Sequence, residues 1–243
     1  MRVCAVTVAV GLLPVVAEEG GGAPAACCTA PALAAFVASR RPGSRRLCLR
    51  ADMASDMGTL TVRAAQTLAV VGAAGSAQPR FFGRFVLDDR SGAALLLQRV
   101  SVRGRNATRL PGCATNEDVH CLGAAAWVGE PSSLTARDSA FSDLSASDGG
   151  AIYVRGGRLT LQRVVFDHAS ADYSGGAIFA ALMPEPIVVE DSVFISNEAG
   201  RLGGKCSSSL CLSSKKPQRS CVHRRYPCLE LHELLPLQQQ LRR

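Results

Sequence analysis

Aromatic side chains are scarce, with one Trp, three Tyr and eight Phe in 243 residues, or 5% of the chain. Long apolar runs are missing too. After the first 17 residues no stretch reaches 18 apolar residues, about the length a membrane-spanning helix needs. Between 134 and 204 no segment carries the 3.6-residue period of a long amphipathic helix. Net charge is also absent from most of the chain. The formal total is +7, but residues 205–243 hold eight Lys/Arg and two Glu, a net of +6, which leaves 7 − 6 = +1 for residues 1–204. A body that close to neutral has no electrostatic footprint for nucleic acid. No G-x-S-x-G nucleophile signature occurs, and His120 and His168 stand in no catalytic motif. The chain is therefore expected not to be an enzyme, with no catalytic residue, cofactor or metal ligand assigned.

Glycine and cysteine are plentiful instead, at 23 and 10 residues. Many glycines with few aromatics suit a repetitive β fold with many turns better than a helical bundle. Ten cysteines point to an oxidising compartment. The N-terminus agrees with that destination. Met1-Arg2 is followed by an apolar run to Ala17, and Val15-Val16-Ala17 offers small residues at cleavage positions, with Ala23-Pro24-Ala25 as a second option. Residues 1–17 are read as a signal peptide, and secretion or surface display is the expected location.

A short phrase recurs in the second half. Gly149-Gly150-Ala151-Ile152-Tyr153 returns as Gly175-Gly176-Ala177-Ile178-Phe179, a step of 175 − 149 = 26 residues, and Gly203-Gly204 opens a third copy 28 residues later. An alternating apolar segment ending in Phe accompanies each copy: Leu134 to Phe141, Leu159 to Phe166, Ile187 to Phe194. Recurrence at 20–50 residues is the signature of stacked supersecondary units. Leu95 to Val100 matches Leu159 to Val164, and Gly123 to Val128 is a variant of the glycine phrase, so diverged copies reach back toward residue 47. The glycine pairs supply turns. Stacking the copies predicts a core column of Phe141, Phe166 and Phe194, joined in the core by Ile152 and Ile178.

Gly-Gly-Ala-Ile with a following Phe resembles the repeats of chlamydial polymorphic outer membrane proteins, and more broadly a right-handed parallel β-helix of the pectate-lyase-like kind. The clear match spans about Leu134 to Gly204. The resemblance implies an all-β, right-handed parallel β-helix over 47–204. It also implies surface display and adhesion. The family's Phe-x-x-Asn survives as Phe194-Ile195-Ser196-Asn197, whereas Leu144 and Ala169 replace Asn in the earlier copies. In polygalacturonase-like enzymes of the same fold paired aspartates are catalytic. Asp88-Asp89 lacks the accompanying Asn-Thr-Asp, Gly-His-Gly and Arg-Ile-Lys motifs and reads as a turn.

Other stretches complete the organisation. Residues 18–46 form an N-terminal cap region in which Pro31 to Ala38 is expected to be a short helix covering the first coil. Cys48 is expected to bridge to Cys27 or Cys28. An insertion at 103–121 carries the glycosylation sequon Asn106-Ala107-Thr108, with Cys113 and Cys121 expected to close it as a disulfide loop. It is the leading candidate for recognition of glycans or surface proteins. Three residues before each apolar anchor stand Arg99, Asp138, Arg163 and Asp191, which stacking turns into a ladder of alternating charge. A structural role is preferred there over calcium binding or catalysis, because Arg163 opposes a cation. Residues 205–243 form a basic, Cys-containing tail, expected to be poorly ordered. Its C-x4-C and C-x6-C spacings fit common zinc modules poorly. The expected function is an adhesive or binding scaffold. Polysaccharide cleavage is the alternative, as is a truncated fragment of a larger surface protein.

Overall fold

The computed structural model describes residues 27–200, apart from 40, 54, 64, 75–76, 88–91, 110–112, 114–120 and 185. The segment read as a signal peptide (residues 1–17), Asp88-Asp89, His120, Gly203-Gly204 and the basic tail therefore lie outside the described residues.

The chain coils as a parallel β-helix, each strand pairing in parallel with its counterpart one coil on. The first face has seven strands: Cys27–Cys28, Gly43–Leu49, Gln66–Gly72, Ala94–Gln98, Ser133–Arg137, Arg158–Gln162 and Val188–Glu190. The second has five: Arg80–Phe81, Ser101–Arg103, Ala140–Ser142, Val165–Asp167 and Val193–Ile195. Ser145–Asp148, Ser170–Ser174 and Glu198–Ala199 make the third. The fourth comprises Thr59–Val62, Arg84–Leu87, Ala126–Gly129, Ile152–Arg155 and Ile178–Ala181.

Alternation sets what faces inward. Leu95, Leu134 and Leu159 are register partners, as are Leu97, Ala136 and Leu161, and all six are buried. Between them Leu96, Thr135 and Thr160 point outward. Because side chains alternate with period 2, a one-residue slip would turn every one of these leucines to solvent, which fixes the register strongly. Phe141 and Phe166 stack with ring centroids 4.9 Å apart and planes 7° from parallel, and Phe166 and Phe194 repeat this at 4.9 Å and 6°. Phe141 and Phe166 are fully buried, whereas Phe194, on the last described coil, is only partly so. Ile152 is register partner to Ile178 and Ala126.

The corners are made by residues in the left-handed region. Arg99, Asp138, Arg163 and Asp191 have φ of 53°, 49°, 52° and 47°. Asp143, His168 and Ser196 take 55°, 53° and 50° at the next corner. A left-handed arginine costs about 1–2 kcal/mol, a penalty that the parallel ladders on both sides impose and offset. Inside the first corner Val100, Ser139, Val164 and Ser192 alternate, all buried. The Ser139 hydroxyl accepts from the Val100 N–H at 3.3 Å and donates to the Arg137 carbonyl at 2.7 Å. Ser192 repeats the device with Val164 and Glu190, at 3.1 and 2.9 Å. Inside the second corner the buried Asn197 accepts from the Ala169 N–H at 2.9 Å and donates to the Phe166 carbonyl at 3.1 Å.

A single α-helix occurs among the described residues, Ala30–Ser39, and it seals the N-terminal end by burying Leu33 and Val37. Cys27 bridges to Cys48 across 5.4 Å between Cα atoms, and Cys28 carries a free thiol. Parity explains the choice between neighbours. Cys28 pairs with Leu47, which faces the core, whereas Cys27 pairs with Arg46 on the side that Cys48 shares.

Candidate functional surface

The charge ladder lies along the outer edge of the first corner. Its middle rung is a two-bonded pair, Arg163 Nε to Asp138 Oδ1 at 2.5 Å and Nη2 to Oδ2 at 2.9 Å. The Arg163 guanidinium, with a smaller contribution from Arg99 and Arg137, holds the Asp138 carboxyl below its usual range. Asp138 raises Arg163 in turn. The Arg163 side chain is exposed and that of Asp138 partly so, so solvent screens the pair and it adds little to stability. The ladder does not continue as a string of contacts. Arg99 Nε turns to the Gly72 carbonyl at 3.1 Å, and Asp191 meets Arg163 only through longer-range attraction. One column over, Gln162 Nε2 donates to Glu190 Oε2 at 2.8 Å. A carboxylate clamped by both guanidinium nitrogens is poorly placed to exchange protons with a substrate.

The insertion is braced where it leaves and rejoins the coil. Register partners Gln98 and Arg137 are 39 residues apart and Arg137 and Gln162 are 25, so it adds 39 − 25 = 14 residues to one coil. Asn106 forms an isolated parallel bridge with Ser145, and its Oδ1 accepts from the Thr108 N–H at 2.9 Å and hydroxyl at 2.6 Å. The Asn-Ala-Thr sequon thus folds on itself around the Asn side chain. Cys113 and Cys121 are joined, with Cα atoms 5.1 Å apart. Arg84, on the outward side of the fourth face yet fully buried, donates from Nε to the Gly123 carbonyl at 2.8 Å and from Nη2 to that of Leu122. Desolvation, reinforced by the Arg105 charge, pushes its pKa down to about 10, still protonated at neutral pH.

Beside this foot runs a feature that sequence reasoning missed. Val86, two residues past Arg84, is register partner to Trp127, which pairs with Tyr153 and through it with Phe179. Trp127, Tyr153 and Phe179 are half-buried and share the outer side of the fourth face. The Tyr153 and Phe179 rings stack at 5.1 Å with planes 19° apart. The signal was present: each aromatic follows the small or branched residue of the glycine phrase. Core and exterior columns look alike until their parity relative to Ile152 is fixed.

At the glycine corner Asp148 is half-buried, and its Oδ1 accepts from the Ser174 N–H at 2.9 Å. Burial is the main reason its carboxyl titrates above the usual range, and Asp172 adds to the shift. Such a group weakens the fold wherever it is ionised, and the cost declines as pH falls below the raised value and is gone below the unfolded one. Asp148→Asn keeps an acceptor for Ser174. It is expected to raise the urea midpoint near neutral pH, and the two unfolding curves should converge below the unfolded carboxylate value of about 3.9. A midpoint lower than the parent's near neutral pH would contradict this.

Among the described residues no group of three or more His, Cys, Asp or Glu is arranged to hold a metal ion, and no helix is long and apolar enough to cross a membrane. His168 Nδ1 lies 2.8 Å from its neighbour Asp167 on the exposed second corner. Fold and surface together define a β-solenoid protein whose exterior carries separate Arg–Asp pairs between coils and, among the described residues, a braced insertion. Comparison of the chain with family models, curated proteins and solved structures finds no match.

Proposed function

We propose that this β-helix is a secreted or surface-associated scaffold that adheres to glycans or surface proteins through the 103–121 insertion and the adjoining Trp127, Tyr153 and Phe179 strip. The observation that carries the reading is the bracing of the insertion. A strand bridge and a buried arginine fix its two ends on a stiff coil, and a disulfide closes the loop between them, beside half-exposed aromatics. Holding a loop's ends in this way lowers the ordering entropy lost on binding. Insertions in solenoids commonly form the binding face. Glycosylation of Asn106 belongs to this reading, as does the polymorphic-outer-membrane-protein likeness of the repeats.

The test is retention of the purified secreted protein on a glycan array and on intact cells. Trp127→Ala, and separately a short Gly-Ser link in place of 107–120, are expected to lower retention at least tenfold while the circular dichroism spectrum stays that of the parent. Retention unchanged in both variants would refute the assignment. So would depolymerisation of acidic polysaccharides by the parent that is lost in a folded Asp138→Ala or Asp191→Ala variant.

A further inference from the structure

Two charges of the corner column are left without a partner. Arg163 and Asp138 bond to each other, but among the described residues Arg99 meets no carboxylate and Asp191 no guanidinium at bonding distance. On the outward side of the first face beside them, Arg137 makes no hydrogen bond, and its Nε is buried without an acceptor. Along the coil axis the corner runs Arg99, Asp138, Arg163, Asp191. The next column runs Gln98, Arg137, Gln162, Glu190, and the one beyond it Leu96, Thr135, Thr160, Val188. Each column is its own chemical complement when reversed. Turned end for end, the first sets Arg99 against Asp191 and Asp138 against Arg163. The second sets Gln98 against Glu190 and Arg137 against Gln162. Gln162 Nε2 already donates to Glu190, which leaves its Oε1 to accept from an arginine. The third sets Leu96 against Val188 and Thr135 against Thr160.

We propose that this surface pairs with a second copy of the chain, face to face and with the coil axes antiparallel. The twofold axis runs along the strands, midway between Ser133–Arg137 and Arg158–Gln162. Such an interface is isologous, so each contact occurs twice. The charges fix its register. A slip of one coil sets Asp138 against its own copy and Arg99 against Arg163, like against like. Four strands about 4.8 Å apart, each contributing five residues of about 3.3 Å, span roughly 19 by 17 Å. That is well under the roughly 800 Å² per partner of stable complexes, so the pair forms weakly and responds to salt. This surface is separate from the one assigned to recognition above, and the pairing does not rest on that assignment.

Sedimentation velocity of the full chain at rising concentration tests this. The parent is expected to dimerise reversibly, at least tenfold more weakly in about 0.5 M salt than in about 0.05 M. Arg99→Asp and Asp191→Arg each set like charges against one another at both ends of the interface, and each is expected to stay monomeric. Mixed together they are complementary again and should form a heterodimer. Both replacements suit the corner, which already carries Asp at 138 and Arg at 163 in the same left-handed conformation. Circular dichroism checks the fold of each. A parent that stays monomeric at the highest concentration overturns the proposal, as does a dimer indifferent to salt or a folded single variant as dimeric as the parent. A mixture no more associated than its components overturns it too. Should one variant misfold, the other and the salt dependence of the parent still decide.

Discussion

Replacing Gly150 by alanine is expected to prevent the chain from reaching its native coil. A Cβ there would lie 2.1 Å from the Gly176 carbonyl oxygen and 2.5 Å from that of Ser170, both backbone atoms of the next coil. No rotamer change relieves such a contact. The coils must separate instead, which breaks the Gly150 N–H to Gly175 and Ala151 N–H to Ala177 bonds of 3.1 and 2.9 Å. The loss should exceed about 4 kcal/mol, a large part of the 5–15 kcal/mol available to a domain. Gly58→Ala is the control. Its φ of +68° strains an alanine, but nothing lies within 4 Å of the new Cβ, so about 1 kcal/mol is expected. Urea unfolding of both variants, with the yield of folded protein as a second readout, separates close approach from backbone strain. A folded Gly150→Ala protein with a midpoint near that of Gly58→Ala would refute the account.

Phe166→Ala is expected to cost about 4 kcal/mol. The ring is fully buried and stacked on both faces, 4.9 Å from Phe141 and 4.9 Å from Phe194. Removing it leaves a gap the full height of one coil. Backbone ladders fix the coil spacing, so the neighbouring rings cannot close in. Phe194→Ala removes a ring with a single stacked neighbour among the described residues and partial exposure, and should cost about half as much. The order of the two midpoints is the test. If Phe194→Ala proves as damaging as Phe166→Ala, the stacking account is refuted.

Much of this was legible in the chain. The 26-residue return of Gly-Gly-Ala-Ile gave the repeat, and the Phe that accompanies it gave the core column. Arg99, Asp138, Arg163 and Asp191 could be aligned because each stands three residues before an apolar anchor. Their conformation was not legible. Arginine disfavours the left-handed region, so no propensity argument places Arg99 and Arg163 there, and only the ladders on either side demand the bend. The partial ladder has the same origin. A corner side chain can reach back as well as along, and Arg99 finds the Gly72 carbonyl first. Arg84 was invisible for another reason, since its partners Leu122 and Gly123 are 38 and 39 residues away, across the insertion.

The sequence by itself determined the period, the Phe141, Phe166 and Phe194 column, and the need for glycine at the corner, because these depend on spacing and side-chain size alone. Tertiary structure decided the rest. It chose Cys27 over Cys28 as the partner of Cys48, put Trp127, Tyr153 and Phe179 outside, and braced the insertion at its feet. Each of these depends on which side of a strand a residue takes once coils are stacked, and neighbours in sequence take opposite sides. Only pairing with the next coil settles which one faces in.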